Sequence, residues 1–154
     1  MRPSSARLRE ALFSIVGQDL QGISVLDAYA GTGLLGFEAF SRGADSLTVV
    51  ERDPRTLAAL RSRAGDLGVK IEVLMGPCPT ALPAGRRWDL VLADPPYAMD
   101  FDRVLVELAP HVGQRLALEH QSDWEPQEQA GGLVLNRHRT YGNSGLAIYE
   151  VSDS

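Results

Sequence analysis

The sequence predicts an α/β fold built on a parallel sheet, and three observations carry that prediction. Short apolar strands alternate with helical stretches from Ser24 onward. The first two strands each end in a carboxylate, Asp27 and Glu51. Asp27 runs through Ala28-Tyr29-Ala30-Gly31-Thr32-Gly33 into Leu34-Leu35-Gly36, a glycine turn that hands a strand to a helix. Alternation of this kind builds a parallel sheet, and its ligands gather beyond the carboxyl ends of the strands.

Taken in order, a first helix is capped by Ser4 or Ser5, carries Leu8, Ala11, Leu12, Ile15 and Val16 at helical spacing, and stops at Gly17. Arg2, Arg7, Arg9 and Glu10 fall off that stripe and read as a solvated face. Ser24 to Asp27 is the central strand, and Leu34 to Arg42 is the helix after the turn, ended by Gly43. Leu47 to Val50 is a second buried strand leading to Glu51. Asp53-Pro54 gives an N-cap and a first-turn proline to a helix that runs to about Leu67 and closes at Gly68. Val69 to Leu74 reads as a third strand, and Met75-Gly76-Pro77-Cys78-Pro79 as the loop beyond it. Trp88 to Ala93 is a hydrophobic strand, Phe101 to Leu108 a helix, and Arg115 to Glu119 a further buried strand. Leu133 to Arg139 and Leu146 to Val151 form a closing hairpin joined through Tyr141-Gly142-Asn143-Ser144-Gly145.

Composition bounds the rest. A chain of 154 residues, 44% hydrophobic, buries one core and leaves no room for a separate substrate domain, so residues 1–154 are expected to be a single domain. No apolar run reaches the roughly 18 residues of a membrane span, and Met1-Arg2-Pro3 leads directly into a helix, so a cytoplasmic protein is expected. Cys78 is the one cysteine, and three scattered histidines outline no metal site. His111 and His120 read as surface or satisfied core residues. The net charge is -5 and Lys70 is the only lysine, so any nucleic-acid site must be local and built from arginine.

Two ligands compete for the glycine turn. Gly31-x-Gly33-x-x-Gly36 fits a dinucleotide pattern, with Glu51 twenty residues after Gly31 in the place of a ribose-binding carboxylate. Asp27, four residues before Gly31, repels a pyrophosphate and attracts an aminoacyl ammonium group. Asp-x-x-x-Gly-x-Gly is the pattern of S-adenosylmethionine methyltransferases, whose second strand ends in an acid that holds the ribose. Further on, the strand Trp88-Asp89-Leu90-Val91-Leu92-Ala93 delivers Asp94-Pro95-Pro96-Tyr97 to the same edge. Two prolines keep local carbonyls out of sheet and helix, Asp94 adds an acceptor, and Tyr97 offers a ring on which a base can stack. Together they form a clamp for a flat group bearing an NH₂.

Four stretches then resemble the RsmD family of bacterial S-adenosyl-L-methionine-dependent methyltransferases, which modify guanine N2 in small-subunit ribosomal RNA. They are Arg2-Pro3-Ser4-Ser5-x-Arg7-x-Arg9-Glu10-Ala11-Leu12-Phe13, Leu26-Asp27-x-x-Ala30-Gly31-Thr32-Gly33 with its continuation to Ala44, Asp94-Pro95-Pro96-Tyr97, and Tyr141-Gly142-Asn143-Ser144. The resemblance runs from Arg2 to about Glu150. It implies a Rossmann-like methyltransferase fold with a seven-stranded, mostly parallel sheet and a C-terminal antiparallel hairpin strand. It places the methionine ammonium near Asp27, the backbone cradle at Ala30, Gly31 and Gly33, the ribose on Glu51, and the adenine between Arg52 and Cys78. Asp94 and the Pro95 carbonyl would hold the target amino group, with Pro96 shaping the loop and Tyr97 stacked on the base.

The hairpin tip would share the ligand edge, making Arg137, His138, Arg139 and Tyr141 candidates for RNA contact. Family members usually carry a basic segment before the Arg-Pro motif, whereas Met1 precedes it here, and Pro77 stands where an aspartate is common. The expected partners are therefore ribosomal RNA or the assembled small subunit, with a partner chain as one source of RNA affinity. The alternatives are methylation of another amino nitrogen, on DNA adenine or protein glutamine, and a cofactor-binding module acting through a partner. A nicotinamide-dinucleotide module ranks last.

Overall fold

The computed structural model describes residues 6–31 and 34–152. Ser4, Ser5, Thr32 and Gly33 lie outside that range, so the helix cap and half of the glycine turn predicted from sequence are not placed. The chain runs α1 Ala6–Val16, β1 Ser24–Asp27, α2 Leu34–Ser41, β2 Ser46–Glu51, α3 Pro54–Leu67, β3 Ile71–Met75, β4 Trp88–Ala93 and α4 Phe101–Leu108. A short 3-10 turn at Ala109–His111 leads into β5 Val112–Gln121, β6 Gln129–Ala130, β7 Leu133–Tyr141 and β8 Ser144–Val151.

These strands form one sheet in the order β3-β2-β1-β4-β5-β8-β7-β6, with the first five parallel and the last three antiparallel. The seven strands expected become eight because Gln129–Ala130 pairs with Leu133–Val134 at the outer edge. A two-residue strand after Pro126-Gln127-Glu128 has no apolar alternation by which it could be recognised. β5 extends well beyond Arg115 to Glu119 at both ends, carried there by pairing with β4 and β8 rather than by its own apolar run.

Two cores flank the sheet. α1, α2 and α3 cover one face through Leu8, Leu12, Phe13, Leu35 and Leu60, against Val25, Leu47, Val49, Leu90 and Leu92. On the other face α4, through Val104, Leu105 and Leu108, packs with Leu82 on Leu26, Val50, Val91 and Leu116. Local chemistry fixes the helix ends. Asp53 accepts the Thr56 N–H at 3.0 Å, Pro54 starts α3, and Gly68 ends it with φ +68, a conformation that Cβ disfavours elsewhere. Asp100 caps α4 in the same way through the Arg103 N–H. Gly142 takes φ +60 as the first central residue of a two-residue hairpin turn between Tyr141 and Ser144.

A chain of side chains ties β2, β3 and β4 together. Trp88 Nε1 donates to Thr48 Oγ1, and Thr48 Oγ1 donates to Glu72 Oε1 at 2.8 Å. Glu72 also takes both terminal nitrogens of Arg86, whose guanidinium lies 4.5 Å over the Trp88 ring centroid. Bidentate pairing of this sort orients as well as attracts. Among the described residues no helix is long and apolar enough to cross a membrane.

Candidate active site

The carboxyl ends of β1, β2 and β4 meet at one edge because these strands are parallel neighbours. Asp27 stands in register with Val49 on β2 and with Leu92 on β4. Glu51 and Asp94 each lie two residues beyond those partners, so all three acids share the strand phase of the face packed by α1 to α3. Three carboxylates therefore converge where the strands stop.

Their environments differ. Asp27 is only 2% exposed, and its Oδ2 accepts the Gly36 N–H of α2 at 3.1 Å. Burial raises its pKa to about 7, helped by the charges of Asp94 and Glu51 and opposed by that backbone hydrogen bond. Gly36 is required for the approach: a Cβ there would come within 2.9 Å of Leu47 Cδ1 and 3.1 Å of Asp27 Oδ2. Glu51 Oε2 accepts the N–H groups of Arg52 and Asp53, both at 3.0 Å, at the start of α3.

In front of these acids lies a cavity of about 540 Å³, within the range of small-molecule sites. Of the residues predicted from sequence, Gly31, Glu51, Arg52, Cys78, Asp94 and Pro96 line it. Asp27, Ala30 and Pro95 are buried behind the wall, Tyr97 stands to one side, and Gly33 falls outside the described residues. The lining also includes Tyr29, Val50, Gly76 and Met99, which sequence reasoning missed, and Pro77, which the sequence singled out as standing where an aspartate is common. Tyr29 follows Asp27 by two residues and Met99 follows Tyr97 by two, so proximity to the motifs was the available signal. Burial pushes the Cys78 thiol up to about 12 and raises the Tyr29 hydroxyl beside it, so both stay neutral against a ligand. A second cavity, between Phe40, Lys70 and Arg86, holds none of the predicted site residues. Among the described residues no cluster of histidine, cysteine and carboxylates is arranged to hold a metal.

The Asp94-Pro95-Pro96-Tyr97 loop borders this cavity. The Pro96 carbonyl is taken by the Met99 N–H at 3.0 Å, closing a turn instead of facing a ligand. Tyr97 packs edge-on against Phe101, with 6.2 Å between centroids, and its hydroxyl pairs with Ser144 Oγ of the hairpin tip. The Tyr141-to-Ser144 motif therefore borders the Asp94 loop across 47 residues of sequence.

The other predicted contact residues divide between two faces. His138 stacks on His120 at 5.1 Å, on the α4 side. His120 is fully buried; its Nδ1 pairs with the Gln121 carbonyl, while Nε2 has no partner among the described residues, so it is only half satisfied. His111, whose Nδ1 pairs with the Arg86 carbonyl, fits the satisfied-core reading. Arg7 does not lie on a purely solvated face, since its guanidinium sits 5.3 Å over the Tyr141 ring.

The family described as "Conserved hypothetical protein 95" matches residues 1–150. This chain belongs to that family, the RsmD family. A Bacillus subtilis relative named "Putative rRNA methyltransferase YlbH" is 30% identical over 97% of this chain and 87% of its own length. "Ribosomal RNA small subunit methyltransferase D" of Buchnera aphidicola is 31% identical over 63% of this chain and 52% of its own length. Among solved structures, a conserved hypothetical protein of Streptococcus pyogenes superposes with a TM-score of 0.84 at 26% identity, covering 94% of this chain and 95% of that one. Magnesium protoporphyrin IX methyltransferase of Synechocystis, solved with bound SAM, shares the fold alone, with a TM-score of 0.73 at 16% identity over 95% of this chain and 79% of that one.

The fold is shared with methyltransferases, one of them solved with bound S-adenosyl-L-methionine. The residues present fit that group. Carboxylates at three strand ends suit a cation, Gly31 with φ +50 opens the main chain at the cavity wall, and neutral Tyr29 and Cys78 offer surface to a ring.

Proposed function

We propose that this chain transfers a methyl group to the exocyclic N2 of a guanine in small-subunit ribosomal RNA, with residues 1–154 acting as one catalytic domain in the cytoplasm. The observation that carries the reading is the position of Asp94: it shares the cavity wall with Glu51 and Gly31, while Tyr97, three residues on, meets the hairpin tip. S-adenosyl-L-methionine supplies a methyl group activated by a sulfonium sulfur. Asp27 and Glu51 balance the donor's positive charges, Glu51 holds the ribose hydroxyls, and Arg52 and Cys78 flank the adenine. The backbone at Ala30 and Gly31 would cradle the methionine end, a role that the sequence motif extends to Gly33.

Asp94 and the Pro95 carbonyl accept hydrogen bonds from the target NH₂, drawing its lone pair out of conjugation with the ring. Tyr97 and Pro96 hold the flipped base flat. Positioning is the main source of rate, because the acceptor nitrogen needs no strong base before attack. A base taken out of its stack is the usual substrate of enzymes that do chemistry on it. The relatives' names and the family support ribosomal RNA as substrate.

The test is transfer of labelled methyl from SAM to small ribosomal subunits, naked ribosomal RNA and duplex DNA. N2-methylguanine that drops roughly 10²- to 10³-fold in Asp94→Ala, with SAM binding retained, supports the reading. Transfer to DNA adenine instead, or none to any of the three, overturns it in favour of another amino nitrogen or a module that works through a partner chain.

A further inference from the structure

We propose that the side of β7 facing α1 is a docking track for the sugar-phosphate backbone of the RNA segment bearing the target base. Arg137 and Arg139 make the phosphate contacts, and Arg7 over Tyr141 marks the end nearest the cavity. The proposal rests on the functional reading above and adds a surface to it.

A single extra residue aims this surface. Leu133 and Leu135 pair with Val151 and Tyr149 and join the core beneath α4. Between Leu135 and Arg137 the register shifts, so that Arg137 pairs with Ile148 and Arg139 with Leu146, both in the core beneath α1. Asn136 is thus a bulge, and bulges re-aim the residues that follow them. Without it Arg137, Arg139 and Tyr141 would continue the phase of Leu135 towards α4. With it they line up on the α1 side, and His138 stacks on His120 on the opposite face.

Both arginines are exposed, as is every residue from Asn136 to Thr140. Neither arginine appears in an ion pair among the described residues. The carboxylates closest in register on that side are Glu150, opposite Val134 and Arg115, and buried Glu119, which pairs with Leu146 and so lies in the row of Arg139 with one strand between them; neither stands directly opposite Arg137 or Arg139. Side chains two apart on a strand are spaced by about 6.8 Å, which suits successive phosphates of an extended strand. The track runs to Tyr141, which pairs with Ser144, and Ser144 meets Tyr97 at the candidate base site. In a chain of net charge -5, this concentration of guanidinium matches a polyanion approaching that site.

The experiment is filter binding of labelled, naked small-subunit ribosomal RNA to the full chain across about 50 to 200 mM salt, with methyl transfer and SAM affinity measured separately. Arg137→Ala/Arg139→Ala is expected to weaken RNA binding roughly 10-fold or more and to lower the slope of log K against log salt by about 1 to 2, with SAM affinity unchanged. Arg137→Lys/Arg139→Lys should restore the slope. Arg55→Ala/Arg61→Ala, which removes the same charge from α3, should behave as wild type. Wild-type slope and affinity in the β7 double variant would overturn the track even if methyl transfer to RNA is found. An arginine-dependent slope without methyl transfer would uphold the track while the functional reading falls. Failure of the wild type to bind RNA, or equal loss in the α3 control, also overturns it.

Discussion

The two halves of the sheet carry opposite charge at the same edge. Where the strands run parallel, β1, β2 and β4 bring Asp27, Glu51 and Asp94 together behind a cavity. Past β5, where pairing turns antiparallel, the edge belongs to a hairpin that presents Arg137, Arg139 and Tyr141 with Arg7. In the parallel half the phase of each strand aims an acid; in the hairpin a bulge aims the bases. Net charge conceals this, because it sums regions that meet different chemistry.

The comparison can be broken most strongly through Asp27. Its folded pKa of about 7 lies above the ordinary 3.8, so the folded protein keeps a proton that the unfolded chain releases between those values. Asp27 therefore contributes stability to the cofactor-free protein that is fully present below about pH 4 and lost as pH rises towards 7, by at most about 4 kcal/mol. Asp27→Asn should flatten that fall in urea midpoints measured from pH 4 to 8. Parallel curves for the two proteins would remove Asp27 as the cause.

The hairpin half responds to volume instead. A Cβ on Gly145 would collide with the His120 ring, so Gly145→Ala should cost about 1–3 kcal/mol in denaturant unfolding. SAM affinity should be unchanged, as Gly145 is not among the residues lining the cavity; a matching loss of cofactor binding would show that the halves are not separable. Smallest is Ser144→Ala, which removes the hydroxyl that meets Tyr97. Its effect on stability should be about 1 kcal/mol. The KM for RNA should rise with little change in SAM affinity, and Ser144→Thr should recover it.

Legibility in the sequence followed the same division. The parallel half announces itself, because β1, β2 and β4 are buried runs, Asp53-Pro54 and Gly68 bound α3, and each strand ends in a chemically distinctive residue. Six of the predicted site residues line the cavity for that reason. The hairpin was recognisable as a hairpin, but not as two faces. Leu133 to Arg139 reads as one alternating strand, and nothing local in Leu-Asn-Arg marks Asn136 as an insertion, since a bulge is defined by the partner strand. The Arg7 contact was hidden likewise: it joins residues at opposite ends of the chain, and an arginine on the polar side of a helix looks solvated. Tyr29 and Met99 escaped notice because their place in the wall depends on how loops fold back.

The exposed stretch of β7 has a consequence for the company this protein keeps with itself. β6 pairs only with Leu133 and Val134, so the outer rim from Asn136 to Thr140 presents backbone donors and acceptors that another strand could zip onto. Two copies meeting there antiparallel would press Arg137 and Arg139 of one against those of the other. The guanidinium groups that draw in a polyanion thus also keep the sheet from growing past its own edge into an aggregate.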